Sequence, residues 1–329
     1  MCGANRNTKR FNKEHVIPRW VLDRYGLFGK KITLKNGKQH TYGTYKVPCC
    51  RDCNGLLGRE VETPVSELLR GGHAAVAPRL NPDTIKLLFT WLCLIFTKIH
   101  MKDRLLRMSL DPRVDDRTMA DGYYWPDLHH IHAVARAPFT QAEFGPGVIG
   151  SLIFLPIDDP TTKDLFDWVD LTEEKTIVLR VDDLGIIAVL NDACAASIAL
   201  SDRVAAIDGP LTTTQLRELS ARFAVANTAV LNRPEFGTLV RHRPPLRVRL
   251  WARHDAVPRF GNFDPEHYGT VLELVLRDRL DNLIIDEVRG ANKVREMILA
   301  GGVSFLFDKD GRFMREIRLI PKSDNRSNL

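Results

Sequence analysis

The chain has 329 residues, of which 44% are hydrophobic and 27% charged, with a formal net charge of +6 and six cysteines. That length suffices for two domains of ordinary size, each with its own core, and the composition excludes a disordered chain, a collagen-like chain and a small disulfide scaffold. The charge is uneven: residues 1–62 carry 13 Lys and Arg against 5 acids, a net of +8, which leaves about −2 for the rest.

In chain order, residues 14–16 read as a strand, and 32–34 and 44–47 as two more, joined by a tight turn at Asn36-Gly37. A helix is expected to begin near Cys53 or Asn54, weakened by Gly55 and Gly58. Thr63 as N-cap and Pro64 at the first helical position predict a second helix, ending at Gly71-Gly72. The Gly, Ala, Pro and Asn gathered over 71–82 suggest a linker, dividing a domain at 1–72 from a larger one at 73–329.

The second region opens with a long helix expected over 83–108, capped by Asn81-Pro82. Its apolar stretch over 87–99 is too short for a membrane span and carries Lys98 and His100 at its flank, so it reads as a buried helix. The N-terminus has no apolar signal region, and a cytoplasmic protein is expected. Strands are predicted at 131–135, 148–155, 176–181 and 186–189, the last two forming a hairpin through residues 182–185. Helices are predicted at 213–231, 265–280 and 291–299, and two closing strands at 303–307 and 313–320. The whole is an α+β protein with hairpins.

The chemistry concentrates at the N-terminal end. Glu14-His15 offers a metal ligand beside a general base, and Cys50-Arg51-Asp52-Cys53-Asn54 can pin a second ligand onto the start of a helix. Glu14-His15-Val16-Ile17-Pro18 with Cys50-x-x-Cys53-Asn54-Gly55 resembles the ββα-metal motif of HNH endonucleases; Trp20, Leu22 and Glu62 match the flanks of one subgroup. The resemblance covers residues 1–62. It implies an N-terminal HNH module in which His15 takes a proton from water while Glu14 and Asn54 hold one divalent ion, Mg²⁺ or Mn²⁺. The middle residue that orients the base in that family has no equivalent among Thr44, Tyr45 and Lys46; His40 is a substitute, although an ordinary loop histidine is the simpler reading. Glu60 and Glu62 lie close enough in sequence to join the metal, and a solvated helix face accounts for either as well.

The same resemblance implies a structural Zn²⁺, with Cys50, Cys53 and Cys2 among its ligands. The partner expected three residues before Cys2 would fall ahead of Met1, so either the start lies upstream or another residue, Cys49 being nearest, is the fourth ligand. Cys2 as a plain thiol is the simpler alternative.

Lys13, Arg19 and Arg51 near the motif, and Arg247 and Arg249 on one face of a later strand-like segment, are candidate phosphate contacts; a solvated basic face is the plainer explanation of each. Tyr123, Tyr124, Trp125, His129, His130 and His132 read as the edge of a core rather than a second metal site. Cys93 and Cys194 lie in apolar runs and are expected to be buried. The expected function is metal-dependent hydrolysis of nucleic acid, DNA by default from the resemblance, which also suggests mobile elements or phage defence. The alternatives are a non-catalytic zinc-containing nucleic-acid-binding protein and a regulatory protein.

Overall fold

The computed structural model describes residues 7–34, 36–111, 113–114, 117–241, 246–255 and 257–315. The chain is a mixed α+β protein and falls into two compact units, residues 1–149 with 235–253 and residues 150–234 with 254–329.

In the first unit, β1 (Phe11–His15) is followed by α1 (Arg19–Arg24), the hairpin β2 (Lys31–Thr33) and β3 (Gln39–Thr41), then β4 (Lys46–Cys50) and α2 (Arg51–Leu57). β1 pairs antiparallel with β4, placing His15 opposite Lys46, Glu14 opposite Val47 and Phe11 opposite Cys50. The turn at Asn36-Gly37 is where the sequence places it: Gly37 has φ +79°, open to glycine, and Asn36 Oδ1 accepts from Lys38 N at 3.0 Å. Its strands differ from expectation. The turn joins 31–33 to 39–41, because a 3₁₀ turn at Tyr42–Thr44 redirects the chain and frees 46–50 to close on β1.

The two helices expected after Asn54 are one continuous run. α2 passes through a π turn at Gly58–Glu62 into α3 (Thr63–Leu68), and Thr63 has helical dihedrals rather than those of a cap. The π turn lies directly ahead of Pro64, where an α turn would meet the proline ring and its missing N–H.

The expected linker is also helical, with α4 (Gly72–Val76) and a 3₁₀ turn at Ala77–Arg79. α5 (Pro82–Asp103) follows, and its start is as read: Asn81 accepts from the N–H of Asp83 and Thr84 at 3.0 and 3.1 Å, and Thr84 Oγ1 accepts from Asn81 N. Such a cap is worth about 1 kcal/mol. Almost every residue from Leu88 to His100 is buried, so the apolarity of this run reflects a position at the centre of the unit. α5 packs on α3 and β4, which places it in one unit with the N-terminal motif and moves the division away from the expected 72/73 boundary.

α6 (His129–Ala135) stands where a strand is predicted. Its buried residues, His130, Ile131, Val134 and Ala135, follow helical rather than alternating spacing. After α7 (Ala137–Thr140), β5 (Glu143–Phe144) pairs with a hairpin from much later in the chain, β10 (Glu235–Arg241) and β11 (Arg247–Arg253), in the order β10-β11-β5.

The second unit is built on a four-stranded antiparallel sheet, β6 (Leu152–Pro156), β7 (Phe166–Leu171), β8 (Thr176–Val181) and β9 (Leu184–Val189), in the order β6-β9-β8-β7. β8 and β9 form the predicted hairpin, with Asp182 left-handed at its turn, and both are buried throughout. Two short helices, α8 (Ala195–Ala199) and α9 (Ser201–Ala205), precede α10 (Thr213–Thr228). Leu216, Leu219 and Phe223 of α10 pack with Val178, Ile187 and Val189. α11 (Pro265–Leu276) and α12 (Ala291–Leu299) close a second cluster around Tyr268, Leu272, Val275 and Ile298. Phe307 and Phe313 pair in one isolated bridge where strands are predicted over 303–307 and 313–320, Met314 and Arg315 are not in a strand, and residues 316–320 lie outside the described residues.

Candidate functional site

Alternation along β1 puts Lys13 and His15 on one face and Glu14 on the other. Glu14, 9% exposed, points toward α5, where Lys98 reaches it from 84 residues away in sequence. The Lys98 ammonium donates to Glu14 Oε1 at 2.9 Å, to Glu62 Oε1 at 2.8 Å and to the backbone oxygen of His15 at 3.3 Å. Its three N–H groups are matched by three acceptors, and the residue is 5% exposed. Burial works against its charge, but Glu62 and Glu14, through charge and hydrogen bonding, outweigh that cost and hold its pKa above the usual lysine value.

The expected acid pair, Glu14 and Glu62, is therefore brought together, with Lys98 between its members. The signal in the sequence is a lysine inside an otherwise apolar, buried helical run.

His15 ends β1 half-buried, with the Phe28 ring edge-on at 5.9 Å. Its Nε2 is buried and has no hydrogen-bond partner among the described residues. Burial, then Lys46, lower its pKa below the usual histidine value, Glu14 opposes this, and Arg19 and Lys98 add to the lowering. The imidazole is neutral at pH 7, the state a proton acceptor needs. His40 sits in β3 tilted against Tyr45 at 6.3 Å, its pKa also lowered by burial and then by Lys102 and Lys38.

Asn54 lies half-buried on α2. Cys50 ends β4 and Cys53 sits in the first turn of α2, both 4% exposed. Cys49 is half-buried, and burial, with Glu14 and against Lys98, pushes its thiol up to about 11, so it is protonated at neutral pH. Cys2 lies outside the described residues. Among the described residues no three His, Cys, Asp or Glu side chains converge in a metal-ligating group.

A groove of about 1170 Å³ runs along β1 and β4, lined by Lys9, Arg10, Lys13, Lys46, Arg51 and Lys102 with no acid among its lining side chains. Of the residues named from the sequence, Lys13 and Arg51 line this groove. Lys46, opposite His15 in the ladder, together with Arg10 and Lys102, joins them without a local signal in the sequence to single it out. Arg19 lies outside the groove lining, exposed on α1 and paired with Asp23 at 3.4 Å.

Arg247 and Arg249 are on the exposed face of β11, alternating with inward Val248 and Leu250 as the sequence pattern implies, but in the first unit rather than the second. Trp251 continues that face and lies over Gly237, where an added Cβ would stand 2.4 Å from the indole ring. His242 and Arg243, between the two strands, lie outside the described residues.

The aromatic and histidine cluster lies at the edge of the core, as expected: His130 is buried, Tyr123, Trp125 and His132 are half-buried, and Tyr124 and His129 are exposed. His130 stacks on Phe236 at 3.8 Å and bonds the Val148 carbonyl at 2.9 Å, while His132 packs on Trp125 at 5.6 Å. Burial lowers both pKa values to about 4. Tyr123 donates to Asp103 Oδ2 at 2.5 Å. Cys93 is buried as expected, whereas Cys194 is exposed at the left-handed residue before α8.

Comparison of the chain with protein-family models, with curated proteins and with solved structures finds no match.

Proposed function

We propose that this chain is a phosphodiester hydrolase of the HNH type acting on nucleic acid, DNA by default, with His15 as general base. The observation that supports it most is a neutral imidazole with an unpartnered, buried Nε2 at the end of β1, its ladder partner Lys46 lining an acid-free basic groove. Hydrolysis needs a water deprotonated in line with the leaving oxygen and positive charge to meet what develops on the phosphate. In this reading His15 takes the proton from water, and Lys13, Lys46 and Arg51 hold the strand and offset the phosphate charge.

The Mg²⁺ or Mn²⁺ implied by the resemblance would need the Glu14 carboxylate. One oxygen of that carboxylate accepts from Lys98, whose ammonium already fills the place between Glu14 and Glu62, so the residues as arranged do not fit an ion there and no step is assigned to it. Cys50 and Cys53, across a strand-to-helix junction, fit half of a tetrahedral Zn²⁺ set, and Cys2 is the further ligand proposed. Bound zinc would act as a structural tie, with its binding energy adding to folding. Recognition of substrate or regulation is assigned to the residues beyond the N-terminal module.

A second reading, a nucleic-acid-binding protein without catalysis, is favoured by one observation: both acids are neutralised by Lys98. Nicking of supercoiled plasmid, with His15→Ala and EDTA arms, separates the two. Cutting by wild type and loss in His15→Ala is the expected result. Tight binding with no cutting by either protein favours the second reading.

A further inference from the structure

The place between Glu14 and Glu62 is already held by a cation. Lys98 Nζ stands at 2.9 and 2.8 Å from one oxygen of each carboxylate and at 3.3 Å from the His15 carbonyl, on a side chain 5% exposed. These contacts tie together β1, the π turn and α5, three elements distant in sequence. Mg²⁺ asks for oxygen ligands at about 2.0–2.1 Å in near-octahedral order. An ion seated between the two carboxylates would have to displace the ammonium that bridges Glu14 Oε1 and Glu62 Oε1, and an ammonium left buried without its partners is strongly destabilising.

We propose that the Lys98 ammonium is the resident counter-ion of Glu14 and Glu62, standing where a divalent ion is expected and excluding it, and that Lys98 positions the His15 peptide. The proposal rests on the HNH reading, in which a divalent ion is expected at Glu14. Lys98 is a positioning residue in this scheme, since its donors are spent on the protein and none is left for a phosphate.

The test is Mn²⁺ binding, read as the loss of the free-ion EPR signal, in wild type, Glu14→Gln and Lys98→Met. Wild type is expected to take up no Mn²⁺ through Glu14, so its titration and that of Glu14→Gln coincide; any ion bound equally by both leaves Glu14 outside the ligand set, as proposed. Lys98→Met, which leaves two carboxylates facing each other, is expected to bind Mn²⁺ at least tenfold more tightly than wild type. A wild-type site that takes one Mn²⁺ and loses it in Glu14→Gln overturns the proposal, whether or not Lys98→Met folds. If Lys98→Met folds and gains no affinity, exclusion by the ammonium is overturned as well. Failure of the hydrolase reading shows differently: neither wild type nor variant cuts plasmid, while the Mn²⁺ titrations keep their outcome.

Discussion

Each unit buries a cation between two acids, but the surroundings of the two cations differ. In the second unit Arg217 is clamped by Asp167 and Asp278 and also bonds the Val275 carbonyl; nearby Glu218 accepts from Tyr268, Ser304 and the N–H groups of Phe305 and Leu306. That network is closed and serves to join α10 to its neighbours. Lys98 is equally satisfied, and the first unit also holds buried polar atoms without partners among the described residues: Asn12 Oδ1, His15 Nε2, Trp20 Nε1, His40 Nε2, Trp91 Nε1, Thr97 Oγ1 and His132 Nε2. Among the described residues of the second unit one such atom is found, Arg279 Nε. Buried polar groups are nearly always paired, so two such atoms on β1, Asn12 Oδ1 and His15 Nε2, leave unmet hydrogen-bonding capacity beside the proposed base. Burial of a charge therefore does not by itself distinguish a structural clamp from a functional site.

The largest expected effects come from breaking each clamp. Lys98→Met and Arg217→Met should each cost about 3–5 kcal/mol, since the first leaves Glu14 and Glu62 uncompensated and the second leaves the buried Asp167 uncompensated, Asp278 being exposed. Denaturant unfolding checks the size. Mn²⁺ should restore stability to the first variant and not to the second, and equal behaviour of the two would remove the distinction drawn between them.

Catalysis comes next. His15→Ala should lower the cleavage rate at least about 100-fold while leaving the unfolding midpoint nearly unchanged. A large stability loss in that variant would make His15 part of the scaffold.

Acid should also act on the first unit through its histidines. His130 and His132 have folded pKa values of about 4 against an ordinary 6.5, so between those values the unfolded chain binds more protons than the folded one. Stability is therefore held above pH 6.5 and lost as pH falls toward 4, on the order of 3 kcal/mol for the buried His130. His130→Gln should flatten that part of the pH–stability curve.

The smallest effect expected is electrostatic. Lys13→Ala or Arg51→Ala should weaken duplex binding evenly across sequences and reduce the slope of log K against log salt by about 0.9 for each phosphate that is no longer neutralised. Arg19→Ala, outside the groove lining, should not change it. Fluorescence anisotropy over a salt series measures both.

Much of this is readable in the chain itself. The Glu14-His15 strand, the turn at Asn36-Gly37, the Asn81 cap, the β8–β9 hairpin and α10 all rest on local chemistry, and local chemistry is what a sequence displays. Lys98 is visible as a charge in a buried helix, but its partners lie 84 and 36 residues away, and nothing local pairs them. Strand β11 joins the first unit from beyond an intervening sheet in the chain, a long-range pairing of the same kind. α6 departs from the strand expected there because a short run rich in Ile, Val and His fits a strand by propensity, while burial on one helical face decides otherwise. The π turn before Pro64 reconciles a proline with a continuing helix in a way that helix-stop rules do not anticipate.

The central claim, that His15 is the base of a hydrolytic site, is tested most directly by the pH dependence of single-turnover plasmid nicking. With the His15 pKa lowered by burial and by Lys46, the rate should rise with pH and level off at an apparent pKa below 6.5, and the His15→Ala residual rate should not show that step. A step unchanged in His15→Ala, or a rate that falls as the imidazole becomes neutral, would contradict it.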